Sequence, residues 1–200
     1  MSNLSGTIKS IQNIMRKDAG VDGDAQRISQ LGWMLFYKIF DDKERDYEIE
    51  FELDSKVYES PIPNNLRWRN WAADDEGITG DELLNFVNND LFPTLKELPV
   101  IDAKDRGNIV RSVFEDSYNY MKSGTLLRQV INTMDEGIDF TKQEERHLFN
   151  DIYEQILKDL QSAGNAGEYY TPRAVTQFIV QMADPNLGET VLDPACGTCG

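Results

Sequence analysis

The sequence predicts a mainly α protein: a helical domain over residues 1–162, followed by the start of an α/β domain over 163–200. Three observations carry this. Apolar residues recur at helical spacing through most of the first segment. A run of small residues, Ser162-Ala163-Gly164-Asn165-Ala166-Gly167, then interrupts the pattern as a flexible link. Beyond it the order is aromatic loop, helix, short apolar run and glycine-rich turn, the way an α/β nucleotide-type site begins.

The first helix spans about Leu4 to Lys17, with Leu4, Ile8, Ile11 and Ile14 on one face, and Gly20-Val21-Asp22-Gly23 breaks it. The second, from about Asp24 to Asp41, is apolar almost all round (Ile28, Leu31, Trp33, Met34, Leu35, Phe36, Tyr37, Ile39, Phe40) and is the expected core helix. Tyr47-Glu48-Ile49-Glu50-Phe51-Glu52-Leu53 alternates strictly, which argues for a strand with one acidic face; an exposed loop or a helix extension are the alternatives. Residues 54–80, with Pro61, Pro63, Gly77 and Gly80, read as a long irregular connection.

Helices resume at about 81–91, where Pro93 ends or bends the pattern, then at 105–120 and 124–135. A capping box, Thr141 with Glu144, opens another at 141–160 with Leu148, Ile152, Ile156 and Leu160 as its stripe. In the second domain Thr171 reads as an N-cap and Pro172 as the first helical residue. Val175, Phe178, Ile179 and Met182 form the apolar face of that helix, which runs to about Ala183. Asp184-Pro185-Asn186 and Gly188 turn the chain into a buried strand at Thr190-Val191-Leu192.

With 20 basic against 35 acidic residues the net charge is −15, opposite to the footprint of an autonomous nucleic-acid binder. The sequence has no run of 18 apolar residues and no signal-peptide pattern, so neither a membrane partner nor secretion is expected. Its two cysteines stand three apart and make no disulfide framework, which fits a reducing, cytoplasmic setting. Zinc needs about four ligands, and two cysteines with the distant His147 do not supply them, so no metal site is expected.

Two blocks carry the chemistry: Gly167-Glu168-Tyr169-Tyr170-Thr171-Pro172-Arg173, and Asp193-Pro194-Ala195-Cys196-Gly197-Thr198-Cys199-Gly200. The second is not the dinucleotide fingerprint, which needs G-x-G-x-x-G opening into a helix. Together, in this order, they resemble the N6-adenine DNA methyltransferases, most closely the modification subunit of type I restriction-modification systems. The likeness extends back through Leu126-Leu127-Arg128-Gln129-Val130-Ile131-Asn132 and the segment His147 to Glu154. It implies that the second domain is the truncated start of a Rossmann-like methyltransferase domain. It also implies that Glu168, Tyr169, Tyr170, Thr171 and Pro172 border an S-adenosylmethionine pocket, with Asp193, Pro194, Ala195, Gly197 and Gly200 forming the turn beneath it.

The implied partners are a DNA specificity subunit, DNA in the assembled complex, and a restriction nuclease subunit. The family holds the flipped adenine with an Asn-or-Asp, Pro, Pro, aromatic tetrapeptide, and none occurs in these 200 residues. No catalytic residue is therefore assigned, and this segment alone is expected to be inactive. By that resemblance, family members typically carry glycine where Cys199 stands; if that position needs positive φ, a cysteine costs on the order of 1 kcal/mol. The contrasting reading is a non-enzymatic helical interaction module that has lost catalysis.

Four other features have plain readings. Leu66-Arg67-Trp68-Arg69-Asn70-Trp71 interleaves rings and bases as a nucleic-acid contact would, but in an acidic domain two Trp rings anchoring a loop is the favoured expectation. Lys122 and Arg128 near Gly124 read as an exposed helix end rather than a phosphate site. His147 reads as a surface histidine. The mixed run Asp41 to Asp46 reads as a solvated helix end, with an acidic patch for a partner subunit as the alternative.

Overall fold

The computed structural model describes residues 4–99, 105–138, 173–186, 188–192 and 194. The chain divides into two compact units, Met1–Ile156 and Leu157–Gly200. The expected helix at 141–160, its capping box, His147 and the boundary at 162 lie outside the described residues. Among the described residues every regular element is helical.

In the first unit α1 (Leu4–Met15) buries Ile8, Ile11 and Met15 and packs along α7 (Gly124–Gly137). The reversal after α1 is held by buried Asp18, whose carboxylate accepts from the Gly20 backbone N–H at 2.8 Å. The same carboxylate accepts from the N–H groups of Lys122 (3.0 Å) and Ser123 (2.8 Å), tying the α1 turn to the start of α7. Ser123 in turn caps α7 by accepting from Leu126 N–H at 3.3 Å.

The central element is α2 (Asp24–Leu53), 30 residues long. Gly23 is its N-cap, and Gln26 accepts the Gly23 N–H at 2.9 Å. Leu31, Trp33, Met34, Leu35, Tyr37 and Phe40 are buried along it. Phe114 from α6 (Arg106–Glu115) sits among its rings, 5.4 Å from Tyr37 and 6.2 Å from Trp33, and lies 5.1 Å from Phe92. Edge-on contacts of this kind add roughly 0.5–1.5 kcal/mol per pair to the area they bury.

The expectation of a strand at 47–53 is overturned: those residues are the last two turns of α2, the helix-extension alternative. The helical period sorts the alternating sequence differently from a strand. Tyr47 and Phe51, four apart, both meet the ring of Tyr58, at 6.0 and 5.2 Å. Glu44 and Glu48, also four apart, are tied to Arg106 and to Arg67 and Arg69. These anchors need helical spacing, and a strand here would have no ladder partner among the described residues. The helix ends in a Schellman motif: Lys56 N–H donates to Phe51 O at 2.8 Å and Ser55 N–H to Glu52 O at 2.9 Å. Ser55 takes the left-handed position at φ 56°.

The connection from 54 to 79 is irregular as expected, apart from a 3₁₀ turn at Asn64–Leu66 and the single-turn α3 (Trp68–Trp71). The next helical run is α4 (Gly80–Asn85), a π-helical turn (Phe86–Leu91) and α5 (Phe92–Lys96). Pro93 does not stop the helix. It stands in the first turn of α5, where a missing N–H is tolerated, and the wider π turn before it resets the ladder. At the crossing of α4 and α7 a Cβ on Gly124 would collide with the Gly80 carbonyl, so glycine sets how closely these helix starts approach.

α6 ends at Glu115 rather than near 120. Residues 117–123 instead run without regular structure, held by buried Gln30, which accepts from Tyr120 N–H at 2.9 Å and donates to Asn119 Oδ1 at 3.0 Å.

In the second unit α8 (Arg173–Ala183) is the expected helix. Val175, Phe178, Ile179, Val180 and Met182 are exposed on it. The expected strand at 190–192 is absent: these residues form no ladder, and Val191 and Leu192 are exposed. A strand exists only by pairing, and no partner strand is present among the described residues.

Replacing Ser55 with glycine removes the steric cost of the left-handed position. Urea denaturation of S55G is expected to show a gain of about 0.5–1 kcal/mol, less the extra entropy of the unfolded glycine.

Candidate functional site

The basic and aromatic residues singled out in the sequence are built into the helical unit. Trp68 and Trp71 are 2% and 6% exposed, so they anchor the long connection rather than face a ligand. Trp71 Nε1 donates to Leu66 O at 2.9 Å, and Tyr37 Oη donates to the same carbonyl at 2.7 Å. Trp68 Nε1 donates to Asp135 at 3.1 Å, and Lys38 pairs with that carboxylate at 2.7 Å. Arg69 meets Asp41 at 3.0 Å and Glu48 at 2.6 Å, while Arg67 meets Glu48 at 2.7 Å. Burial lowers the Arg69 pKa, but the hydrogen bonds and charges of Asp41 and Glu48 together raise it.

Two expectations are corrected here. Arg128 is neither an exposed helix end nor free for phosphate: it is 6% exposed on α7. Its guanidinium donates to the carbonyls of Trp71 (3.1 Å), Ala72 (3.0 Å), Asp74 (3.2 Å) and Ile78 (2.8 Å). Burial pushes its pKa down, opposed by the charges of Asp74 and Asp75. Lys122 is exposed, as expected. Nor is the run Asp41 to Asp46 simply solvated, since Asp41 and Glu44 are buried. Glu44 pairs with Arg106 at 2.8 Å and accepts from Tyr58 Oη at 2.8 Å. The pattern that could have revealed these pairs is the i, i+3 and i+7 spacing of Asp41, Glu44 and Glu48 on one helical face.

Of the residues in the two blocks, only Pro194 is described, in a turn, together with the first helical residue Arg173. Glu168, Tyr169, Tyr170, Thr171, Pro172, Asp193, Ala195, Gly197 and Gly200 lie outside the described residues, as do Cys196 and Cys199. Between the blocks, α8 ends with Asp184 at φ 43°, its N–H donating to Val180 O at 3.0 Å. Asn186 and Glu189 then close the turn reciprocally: Asn186 N–H donates to the Glu189 carboxylate at 2.9 Å, and Glu189 N–H to Asn186 O at 3.1 Å. Gly188 takes φ 93° inside it. The described residues from 173 to 194 are thus a helix, a tight turn, a stretch without regular structure and a turn.

Among the described residues no cluster of His, Cys, Asp or Glu could hold a metal ion, and no helix is long and apolar enough to cross a membrane. A groove of about 410 Å³ lies over Asn88, Phe92, Lys96 and Tyr118. Its one cation is engaged: Lys96 Nζ sits 4.6 Å from the Tyr118 ring centre and donates to Glu115 O at 3.2 Å.

A helical unit followed by a segment bearing the two blocks is the layout of a DNA methylase modification subunit, and comparison with known proteins supports that class. The HsdM N-terminal domain model matches residues 4–134, and the N-6 DNA Methylase model matches 144–200. The EcoEI type I restriction enzyme methylase subunit of Escherichia coli is 64% identical over 199 residues, covering 99% of this chain and 40% of that protein. The StySJI methylase subunit of Salmonella typhimurium is 28% identical over 188 residues, 92% of this chain and 31% of that protein. A crystallised modification subunit from Vibrio vulnificus YJ016 superposes with TM-score 0.84 at 42% identity, over 99% of this chain and 44% of that one. A chain from a type I R-M system, solved for its complex assembly and conformational transition, superposes with TM-score 0.77 at 35% identity, over 98% and 38%.

The chain belongs to the HsdM N-terminal domain family, and over nearly its whole length it is similar to type I restriction enzyme methylase subunits. It spans about two fifths of the length of the EcoEI relative.

Two outcomes follow from the buried polar groups. Arg128→Ala leaves four carbonyls without their donor, and a loss on the order of 3 kcal/mol in urea unfolding is expected. Arg128→Met, which keeps most of the volume, is expected to lose nearly as much. Burial raises the Tyr37 pKa, helped by Asp41, and burial together with the hydrogen bond to Glu44 raises that of Tyr58. A raised folded-state pKa contributes stability that is present below the unfolded tyrosine value of about 10 and lost above it. The melting temperature is therefore expected to fall as pH rises past about 10, with a shallower fall in Tyr58→Phe.

Proposed function

We propose that this chain is the cofactor-proximal portion of an S-adenosylmethionine-dependent DNA adenine methyltransferase subunit. In the complete protein it acts with a specificity subunit that reads the DNA. The observation that carries the reading is the pair of blocks at 167–173 and 193–200, in order, inside a segment that matches the N-6 DNA Methylase model.

Two described positions support this reading. α8 begins at Arg173, the last residue of the first block, so that block adjoins a helix N-terminus, where backbone N–H groups lack intrahelical partners. Pro194 lies in a turn, within the block where a glycine-rich cofactor loop would open. When bound, S-adenosylmethionine supplies the methyl group. Glu168 and the Tyr169-Tyr170 pair would border its pocket, Thr171 and Pro172 would start the helix beside it, and Asp193, Pro194, Ala195, Gly197 and Gly200 would form the turn beneath it.

The substrate amine needs a separate motif, and none of the required form lies in these 200 residues. This segment alone therefore transfers no methyl group. Its net charge of −15 also argues against holding DNA unaided, which favours a separate DNA-reading subunit. The reading extends to a restriction nuclease subunit joining the assembly and to a cytoplasmic setting.

Methyl transfer from labelled S-adenosylmethionine into DNA tests the proposal on the full-length subunit with its specificity subunit. Label in adenine that depends on the specificity subunit is the expected result. Absence of both label and cofactor binding would leave the non-enzymatic interaction module as the reading. By calorimetry, Cys199→Gly is expected to tighten cofactor binding by about tenfold, the equivalent of about 1.4 kcal/mol of relieved strain. Unchanged affinity would mean that Cys199 is tolerated.

A further inference from the structure

The alternating segment Tyr47 to Leu53 forms the end of α2. On a helix, strict alternation sends its apolar residues to opposite sides. Tyr47 and Phe51 turn toward Tyr58. Ile49 and Leu53, also four apart, are left 52% and 81% exposed, and Val57 just past the helix end is 85% exposed.

This tip is not a fraying helix end. Tyr58 stacks on Tyr47 and meets Phe51, and its hydroxyl is held by buried Glu44. The Arg106 guanidinium, paired with Glu44, lies 3.9 Å from the centre of the Tyr47 ring. The Schellman motif fixes the turn between them. Apolar side chains are therefore presented on a pre-ordered projection, which lowers the entropic cost of docking.

The surroundings are acidic. Residues 41–59 hold nine carboxylates against three basic side chains, and exposed Glu50 and Glu52 make no ion pair among the described residues. An acidic rim repels DNA phosphate, and it repels the same patch on a second copy, since a two-fold contact would set like charges face to face. It fits a protein surface that carries lysine and arginine around an apolar socket. Resting on the function proposed above, we infer that the end of α2, through Ile49, Leu53 and Val57 with Glu50 and Glu52, docks on a basic face of the DNA-reading partner subunit. That subunit needs a basic surface to hold a polyanion, so it offers the complementary charge.

The test is the affinity of the full-length modification subunit for its specificity subunit, measured by calorimetry at low and high salt. Leu53→Asp with Val57→Asp, and separately Glu50→Lys with Glu52→Lys, are each expected to weaken binding by about tenfold or more. The charge pair should also flatten the salt dependence. These side chains are exposed, so melting temperature and cofactor affinity should stay at wild-type values. Leu53→Ala with Val57→Ala guards against an effect of buried charge alone, and it is expected to weaken binding in the same direction. Variant affinities within about twofold of wild type, with wild-type binding intact, overturn this inference and leave the methyltransferase reading standing. Failure of the wild-type pair to bind overturns that reading, and the inference with it. A change in self-association by sedimentation, with specificity-subunit binding unchanged, would assign the patch to a second copy and overturn the inference too.

Discussion

Irregular backbone inside a helical protein carries N–H and C=O groups that no helix satisfies, and this constraint organises the first unit. An unpaired buried carbonyl or amide costs about 1–3 kcal/mol, so every such segment needs a side chain that reaches it. Arg128 serves the connection from Trp71 to Ile78, while Tyr37 and Trp71 both serve Leu66. Asp18 and Gln30 serve the segment before α7. All of these donors and acceptors stand on or beside α1, α2, α3 and α7, so placing the loops and packing the helices are one event.

The same economy explains why a chain of net charge −15 engages so many of its basic groups within the helical unit. Arg67, Arg69, Arg106 and Lys38 neutralise carboxylates along α2 and at Asp135, and Arg128 is spent on backbone. What remains on the surface is predominantly acidic.

The second unit stands differently. α8 carries five large apolar residues in the open, and the run after its turn forms no ladder. An amphipathic helix and a short apolar run are both elements that acquire stability by packing against a sheet. Local sequence is enough for the helix and the Asn186–Glu189 turn, because their hydrogen bonds lie within a few residues of one another.

By itself the sequence determined the family, through two short blocks whose order is informative, and the helical class of the first domain. It also placed the starts of α1, α2, α6, α7 and α8 to within about two residues, because apolar periodicity and capping residues are local properties. The rest depended on distant partners. Whether Tyr47 to Leu53 is strand or helix turns on Tyr58, Arg106 and Arg67, none of which a window on that segment contains. The end of α6 depends on Gln30, some ninety positions away, and the buried role of Arg128 depends on carbonyls more than fifty positions earlier. Alternation and charge describe a segment, but only tertiary contact decides which of its faces is satisfied inside the protein and which is left for a partner.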